Sequence, residues 1–180
     1  MPGIDGRLPF LPVHIAVLTV SDSRTELDDK SGGILASRVQ ESGHSLVARK
    51  LVPDEQKLIA EQVVGWSKDS GIDVVLATGG TGVTGRDVTP EAFESVYDKS
   101  IPGFGELFRM ISYQKIGTST IQSRATAGVR NGTYLFALPG SPNACKDAWD
   151  EILIHQLDNR FRPCNFVELM PRLKEVSNTK

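Results

Sequence analysis

The sequence predicts an α/β sandwich with a mostly parallel sheet and a small antiparallel hairpin at one edge. Apolar, β-rich runs alternate with segments of helical period, which is the order of strand–helix–strand units. Three of those runs end in loops of small residues, at Ser21–Arg24, Thr78–Gly85 and Pro139–Asn143. Asn131-Gly132 lies between two apolar runs, where it favours the tight turn of twisted antiparallel strands.

Taken in order, Met1–Pro12 holds three prolines and reads as a loose arm, suited to lie on a neighbouring subunit. His14–Val20 is apolar on both faces, as a central parallel strand is. A helix follows from a cap at Ser31 to about Gly43, with Ile34, Leu35 and Val39 at helical spacing. Ser45–Val52 is a second strand. Asp54 is by type a good N-cap for a helix to about Lys68, with Leu58, Ile59, Val63 and Trp66 on one side. Ile72–Ala77 is the third strand and runs into the glycine loop. Pro90–Asp98 reads as a short helix that Ile101-Pro102-Gly103 breaks.

Phe104, Leu107, Phe108 and Ile111 then make an apolar stripe, open to two readings: core packing or a subunit interface. Glu106 and Arg109 fall on another face. Ala125–Arg130 and Thr133–Leu138 are the hairpin strands. Ala144–Leu157 is a long helix with Asn143 as its cap and Ala148, Ile152 and Leu153 inward. The domain proper spans 13–160, between the arm at 1–12 and a partly extended tail at 161–180.

A chain of 180 residues fits one domain with a sizeable core. The net charge of −2 gives no general attraction to nucleic acid or membrane. Cys145 and Cys164 lack metal-site spacing, and His14, His44 and His155 are scattered, so a reducing, cytoplasmic setting is the simplest expectation. No apolar run approaches a membrane span, and no secretory signal is visible.

The chemistry concentrates in Asp73–Thr89. An apolar run there ends in Gly79, Gly80, Gly82 and Gly85, with Thr81 and Asp87 among them. Glycines permit positive φ and close approach, and main-chain N–H groups in such a loop can face a phosphate. Asp87 adds a carboxylate for an accompanying Mg²⁺. The spacing is neither the P-loop nor G-x-G-x-x-G, and the same pattern also suits a βα turn with no ligand. With the other two loops, Asp22, Asp54 and Asp87 can hold a metal, and Arg24, Arg86, Arg109 and Arg124 can hold phosphates. No nucleophile is evident, since Cys145 has no histidine near it in sequence.

Several segments then resemble a known family. T-G-G-T-G-V-T-G-R-D-V-T-P-E at 78–91 is similar to the signature of the MoaB/MogA molybdopterin-binding domain family. The likeness continues in T-V-S-D-S-R with D-D-K-S-G at 19–32, P-D-E at 53–55, P-G-F-G-E at 102–106, S-R-A-T-A-G at 123–128 and P-G-S-P-N-A at 139–144. R-P-C-N-F at 162–166 and G-T-S-T-I-Q-S-R at 117–124 look closest to the MoaB branch.

The resemblance implies a three-layer α/β/α sandwich that assembles as a trimer or hexamer. It implies transfer of AMP from Mg-ATP to the molybdopterin phosphate, with release of pyrophosphate, ahead of molybdate insertion by a downstream molybdenum-insertion protein. The attacking group is then the substrate's phosphate, so the protein needs no nucleophile. Asp54 and Asp87 match the acids tied to Mg²⁺ and catalysis, and Thr81 a residue at the reacting phosphates. Ser123 and Arg124 match the pterin-side pocket, and Gly79, Gly80, Gly140 and Asn143 match loop residues around the phosphates. Ser21, Asp22, Gly82, Glu106, Arg109 and Pro139 complete the expected substrate-binding set. Some members of the MoaB branch look catalytically weak, which leaves a molybdopterin-binding carrier as the alternative. The intact P-D-E and R-D-V-T-P-E favour an active site.

Overall fold

The computed structural model describes residues 2–175. Its centre is a six-stranded sheet of β2 (His14–Val20), β3 (Ser45–Val52), β4 (Val74–Thr78), β5 (Lys99–Ser100), β6 (Thr126–Arg130) and β7 (Thr133–Leu138), after a short N-terminal strand β1 (Gly3–Ile4). The order across the sheet is β3-β2-β4-β7-β6-β5. The first four strands run parallel; β6 is antiparallel to β7, and β5 to β6. Asn131 (φ 48°) and Gly132 (φ 79°) turn the β6–β7 hairpin in the left-handed region that this turn requires.

Two hydrophobic layers follow from the alternation of side chains along the strands. Ile15, Val17, Val74, Leu76, Tyr134 and Phe136 face one side, against Leu35, Phe108 and Trp149. Ala16, Leu18, Val75, Ala77 and Leu135 face the other, against Ile59, Val63 and Phe93. Helices α1 (Lys30–Glu41), α4 (Pro102–Ile116) and α5 (Pro142–Ala148) thus cover the first face, and α2 (Gln56–Lys68) and α3 (Thr89–Glu94) the second. The result is the three-layer α/β/α sandwich. A π-helical turn, Trp149–Leu153, extends α5 into a last helical turn, α6 (Ile154–Gln156).

Several local readings are corrected. The cap of α1 is Asp29, whose Oδ1 accepts the Gly32 N–H at 2.9 Å. Ser31 lies inside the helix and donates its hydroxyl to the Gly140 carbonyl at 2.8 Å. Asp54 does not cap α2, because its carboxylate is drawn to the Asp22 N–H instead. Pro102 opens α4 rather than breaking a helix, as its fixed φ and missing N–H allow at the first helical position. Ser141, not Asn143, caps α5.

Phe104 and Phe108, expected as possible interface residues, are 4% and 1% exposed and pack in the chain's own core, Phe104 lying 5.0 Å from the Phe136 ring. Leu107, Met110, Tyr113 and Ile116 are the large apolar side chains of α4 left in solvent. The arm is not loose: β1 pairs with β8 (Phe161–Arg162), Asn159 bonds both Pro9 and Leu11, and the Arg160 guanidinium lies over the Phe10 ring. The tail then crosses the sheet face, where Phe166 lies 4.7 Å from the Tyr134 ring.

Candidate functional site

Parallel pairing sets the site. Thr19 pairs with Thr78 and Thr78 with Leu138, so β2, β4 and β7 end side by side and their following loops form one cluster. A cleft of about 640 Å³ opens there, lined by Ser21, Arg24, Asp54, Gly79–Gly82, Arg86, Asp87, Pro139 and Gly140.

Two glycines are required by geometry. Gly79 has φ +107°, and a Cβ there would lie 2.1 Å from the Val20 carbonyl oxygen. Gly80 has φ +62°, and its Cβ would lie 2.5 Å from Thr89 Oγ1 and 2.7 Å from Asp54 Oδ1. These bare α-carbons let the first two loops close on each other. The third loop is fastened by Ser31 and by Arg24, whose Nη2 donates to the Gly140 carbonyl at 3.0 Å.

The acids differ in state. Asp22 and Asp54 exchange hydrogen bonds, each carboxylate accepting the other's main-chain N–H at 2.9 and 3.0 Å. Arg86 makes a bidentate pair with Asp22 and holds its carboxyl below the usual range. Burial first, and the charge of Asp22 second, push the Asp54 carboxyl up. Burial also acts to raise Asp87, but hydrogen bonds from the Thr84 hydroxyl (2.6 Å) and N–H (2.8 Å) outweigh it and leave the carboxyl below its usual range. Cys145 is buried beneath the loops beside Thr78, and burial drives its thiol to about 11, so it is no thiolate nucleophile.

Among the described residues no cluster of three or more His, Cys, Asp or Glu forms a metal cage. Mg²⁺ seldom has one: it is held by one or two carboxylates with waters and substrate phosphates. Asp54 and Asp87 line the same cleft. Thr89 Oγ1, which like Asp54 faces Gly80, is buried with no hydrogen-bond partner among the described residues. Two carboxylates and an orphaned hydroxyl suit a hydrated cation.

Glu106, Arg109, Ser123 and Arg124 gather in a neighbouring pocket of about 470 Å³. Arg124 joins the two pockets, donating to the carbonyls of Gly82 and Asp87, both at 2.7 Å, and pairing with Glu91. Asn143 lines neither pocket; it is exposed on the first turn of α5, and Ser141 and Pro142 stand at the cleft in its place. Sequence reading did not single out Ser23, Ser141 or Pro142, which line the cleft, nor Asp29. The Asp29 carboxylate is buried, held by Thr19 and Arg49, and lies 3.8 Å from Arg24, which lines the cleft. A polar residue just before the start of α1 was the one available signal for Asp29.

A parallel sheet with a ligand-sized cleft at its carboxyl edge, built on T-G-G-T-G and R-D-V-T-P-E, defines the chain as a member of the molybdopterin-binding domain family. Residues 16–159 match that family, described as "Probable molybdopterin binding domain".

Within the family the likeness is to the molybdenum cofactor biosynthesis proteins. The chain is 50% identical over 166 residues to "Molybdenum cofactor biosynthesis protein B" of Escherichia coli (strain K12), covering 92% of this chain and 96% of that protein. A crystal structure of Molybdenum cofactor biosynthesis protein B superposes with a TM-score of 0.80 at 42% identity, over 82% of this chain and 92% of that one. A structure of MogA superposes with a TM-score of 0.70 at 31% identity, over 80% and 97% of the two chains.

Proposed function

We propose that this chain acts in molybdenum cofactor biosynthesis by binding molybdopterin and adenylylating it with Mg-ATP, in the cytoplasm, before molybdate insertion by a separate protein. One observation carries the reading: the loops after β2, β3, β4 and β7 bring two carboxylates, a glycine-lined main chain and arginines to one cleft, with no activated nucleophile beside them among the described residues. Phosphoryl and nucleotidyl transfer need that inventory, since positioning and charge neutralisation do most of the work. Asp54 and Asp87 would hold Mg²⁺, which when bound offsets charge on the reacting phosphates. Thr81, buried at the turn of the glycine loop, would stand at the reacting phosphates. The second pocket, with Ser123, Arg124, Arg109 and Glu106, is the place for the pterin, and Arg124 ties its wall to the glycine loop.

Assembly as a trimer or hexamer fits the exposed side chains Met110, Tyr113, Ile116 and Ile121, which are 65%, 58%, 56% and 82% exposed on α4 and the turn after it. Sedimentation of Met110→Asp combined with Ile121→Asp should give a smaller species than wild type; an unchanged species puts the contact elsewhere.

The deciding experiment incubates the protein with molybdopterin, ATP and Mg²⁺ and follows adenylylated molybdopterin and pyrophosphate. Product is expected, and Asp54→Ala and Asp87→Asn abolish it. Tight molybdopterin binding without product would make the protein a carrier. Absence of both would overturn the reading.

A further inference from the structure

Three arginines lie around the cleft, and they differ in what they hold. Arg24 donates to the Gly140 carbonyl and lies 3.8 Å from the buried Asp29. Arg124 donates to the carbonyls of Gly82 and Asp87. Both side chains are about one-third exposed, at 32% and 33%, and both brace loops, so neither can leave its place without unpinning main chain.

Arg86 is unlike them. Its side chain is 63% exposed, and among the described residues its hydrogen bonds go to the Asp22 carboxylate alone, from Nε at 2.9 Å and Nη2 at 2.7 Å. Arg86 stands on the glycine loop and lines the cleft, and Asp22 stands on the loop after β2 between Ser21 and Ser23, which line it too, so the pair ties two of the loops that wall the cleft. Asp22 is itself anchored, because its Oδ1 accepts the Asp54 N–H.

We infer that Arg86 is an exchangeable anion-binding residue: its guanidinium passes from Asp22 to a phosphate of the ligand, and Asp22 keeps it occupied until a polyphosphate arrives. The inference rests on the phosphate-binding reading of the cleft and adds the residue that moves. A guanidinium fork fits phosphate oxygens as it fits a carboxylate, so the exchange conserves hydrogen bonds. The pair is open to solvent, at 63% and 44% exposed, where water, salt and an incoming anion compete for both partners, so it can part. Asp22 does not follow Arg86, because the Asp54 N–H retains it. A built-in carboxylate competitor also discriminates: a weakly charged anion displaces it poorly, whereas a polyphosphate, with more charge, displaces it well.

The test is calorimetric titration of the full chain with inorganic tripolyphosphate in EDTA, so that nothing depends on a metal. Asp22→Asn keeps a carbonyl oxygen for the Asp54 N–H but frees Arg86, and should bind about two- to five-fold more tightly than wild type. Arg86→Gln should bind more weakly than wild type. In the double variant the gain from Asp22→Asn should disappear, because it acts through Arg86. Wild-type binding with Asp22→Asn unchanged or weaker overturns the exchange and leaves the phosphate site standing. A gain that persists without Arg86 also overturns it, as mere relief of negative charge. Failure of every variant to bind tripolyphosphate overturns both the exchange and the phosphate site beneath it.

Discussion

The two halves of the sheet are built from similar residues and do different work. In the parallel half, β3-β2-β4-β7, every strand points the same way, so the chain must leave β2, β4 and β7 at one edge, and the charged and glycine-rich loops collect there. In the antiparallel half, β6 and β5 reverse direction, and their neighbour α4 carries the Phe104–Phe108 stack on one side and an exposed apolar row on the other. Polypeptide direction, more than composition, decides which half gathers strand-end loops into a cleft, while the antiparallel half contributes the wall of the second pocket through α4 and the start of β6.

The sharpest division would appear between Asp87→Asn and Phe108→Ala. The first should lower turnover by about a thousandfold or more while leaving the unfolding midpoint close to wild type. The second should cost about 3–5 kcal/mol in denaturant unfolding, because a 1%-exposed ring leaves a cavity, and should spare turnover of the remaining folded protein. If Phe108→Ala silences turnover while stability holds, the two halves are not separable in this way.

Gly80→Ala should come next. A Cβ at φ +62° would press on Asp54, which lines the cleft, and on the buried Thr89, so turnover should fall about a hundredfold, read by the product assay. Arg124→Ala tests the joint between the halves and should raise the KM for molybdopterin about tenfold, with a smaller change in kcat.

The mildest effect concerns acid. Asp29 is nearly fully buried; burial alone would raise its carboxyl, but the Thr19 hydroxyl, Arg49 and the Gly32 N–H more than offset that and lower it. A carboxylate lowered on folding stabilises above its unfolded value, near 3.9, and that stability is lost as pH falls through the lower folded value. Asp29→Asn should therefore flatten the pH dependence of the urea midpoint in the acid range; an unaltered slope would remove Asp29 from the account.

Much of this was legible in the sequence, for a physical reason. His14–Val20, Ser45–Val52 and the Asn-Gly hairpin read correctly because strand period and turn chemistry are local properties. The glycine loop and Asp87 were visible because four glycines after an apolar run mark a turn open to close approach, although the same pattern also suits a βα turn with no ligand. What was missed was decided by contacts between distant residues. Asp54 has the right type for a cap, but Asp22, 32 residues away, claims its carboxylate. Ser31 suits a cap equally, yet the Gly140 carbonyl, 109 residues on, takes its hydroxyl. Phe104 and Phe108 have the same period whether they face the core or a partner, and only the position of Phe136 settles it.

The Gly140 carbonyl accepts two donors, Ser31 Oγ and Arg24 Nη2, and so welds the third loop to the first helix and the first loop. The consequence is entropic. Loops fixed to one another during folding have little freedom left to lose when a ligand arrives, so the cleft's affinity is not spent on ordering its own walls.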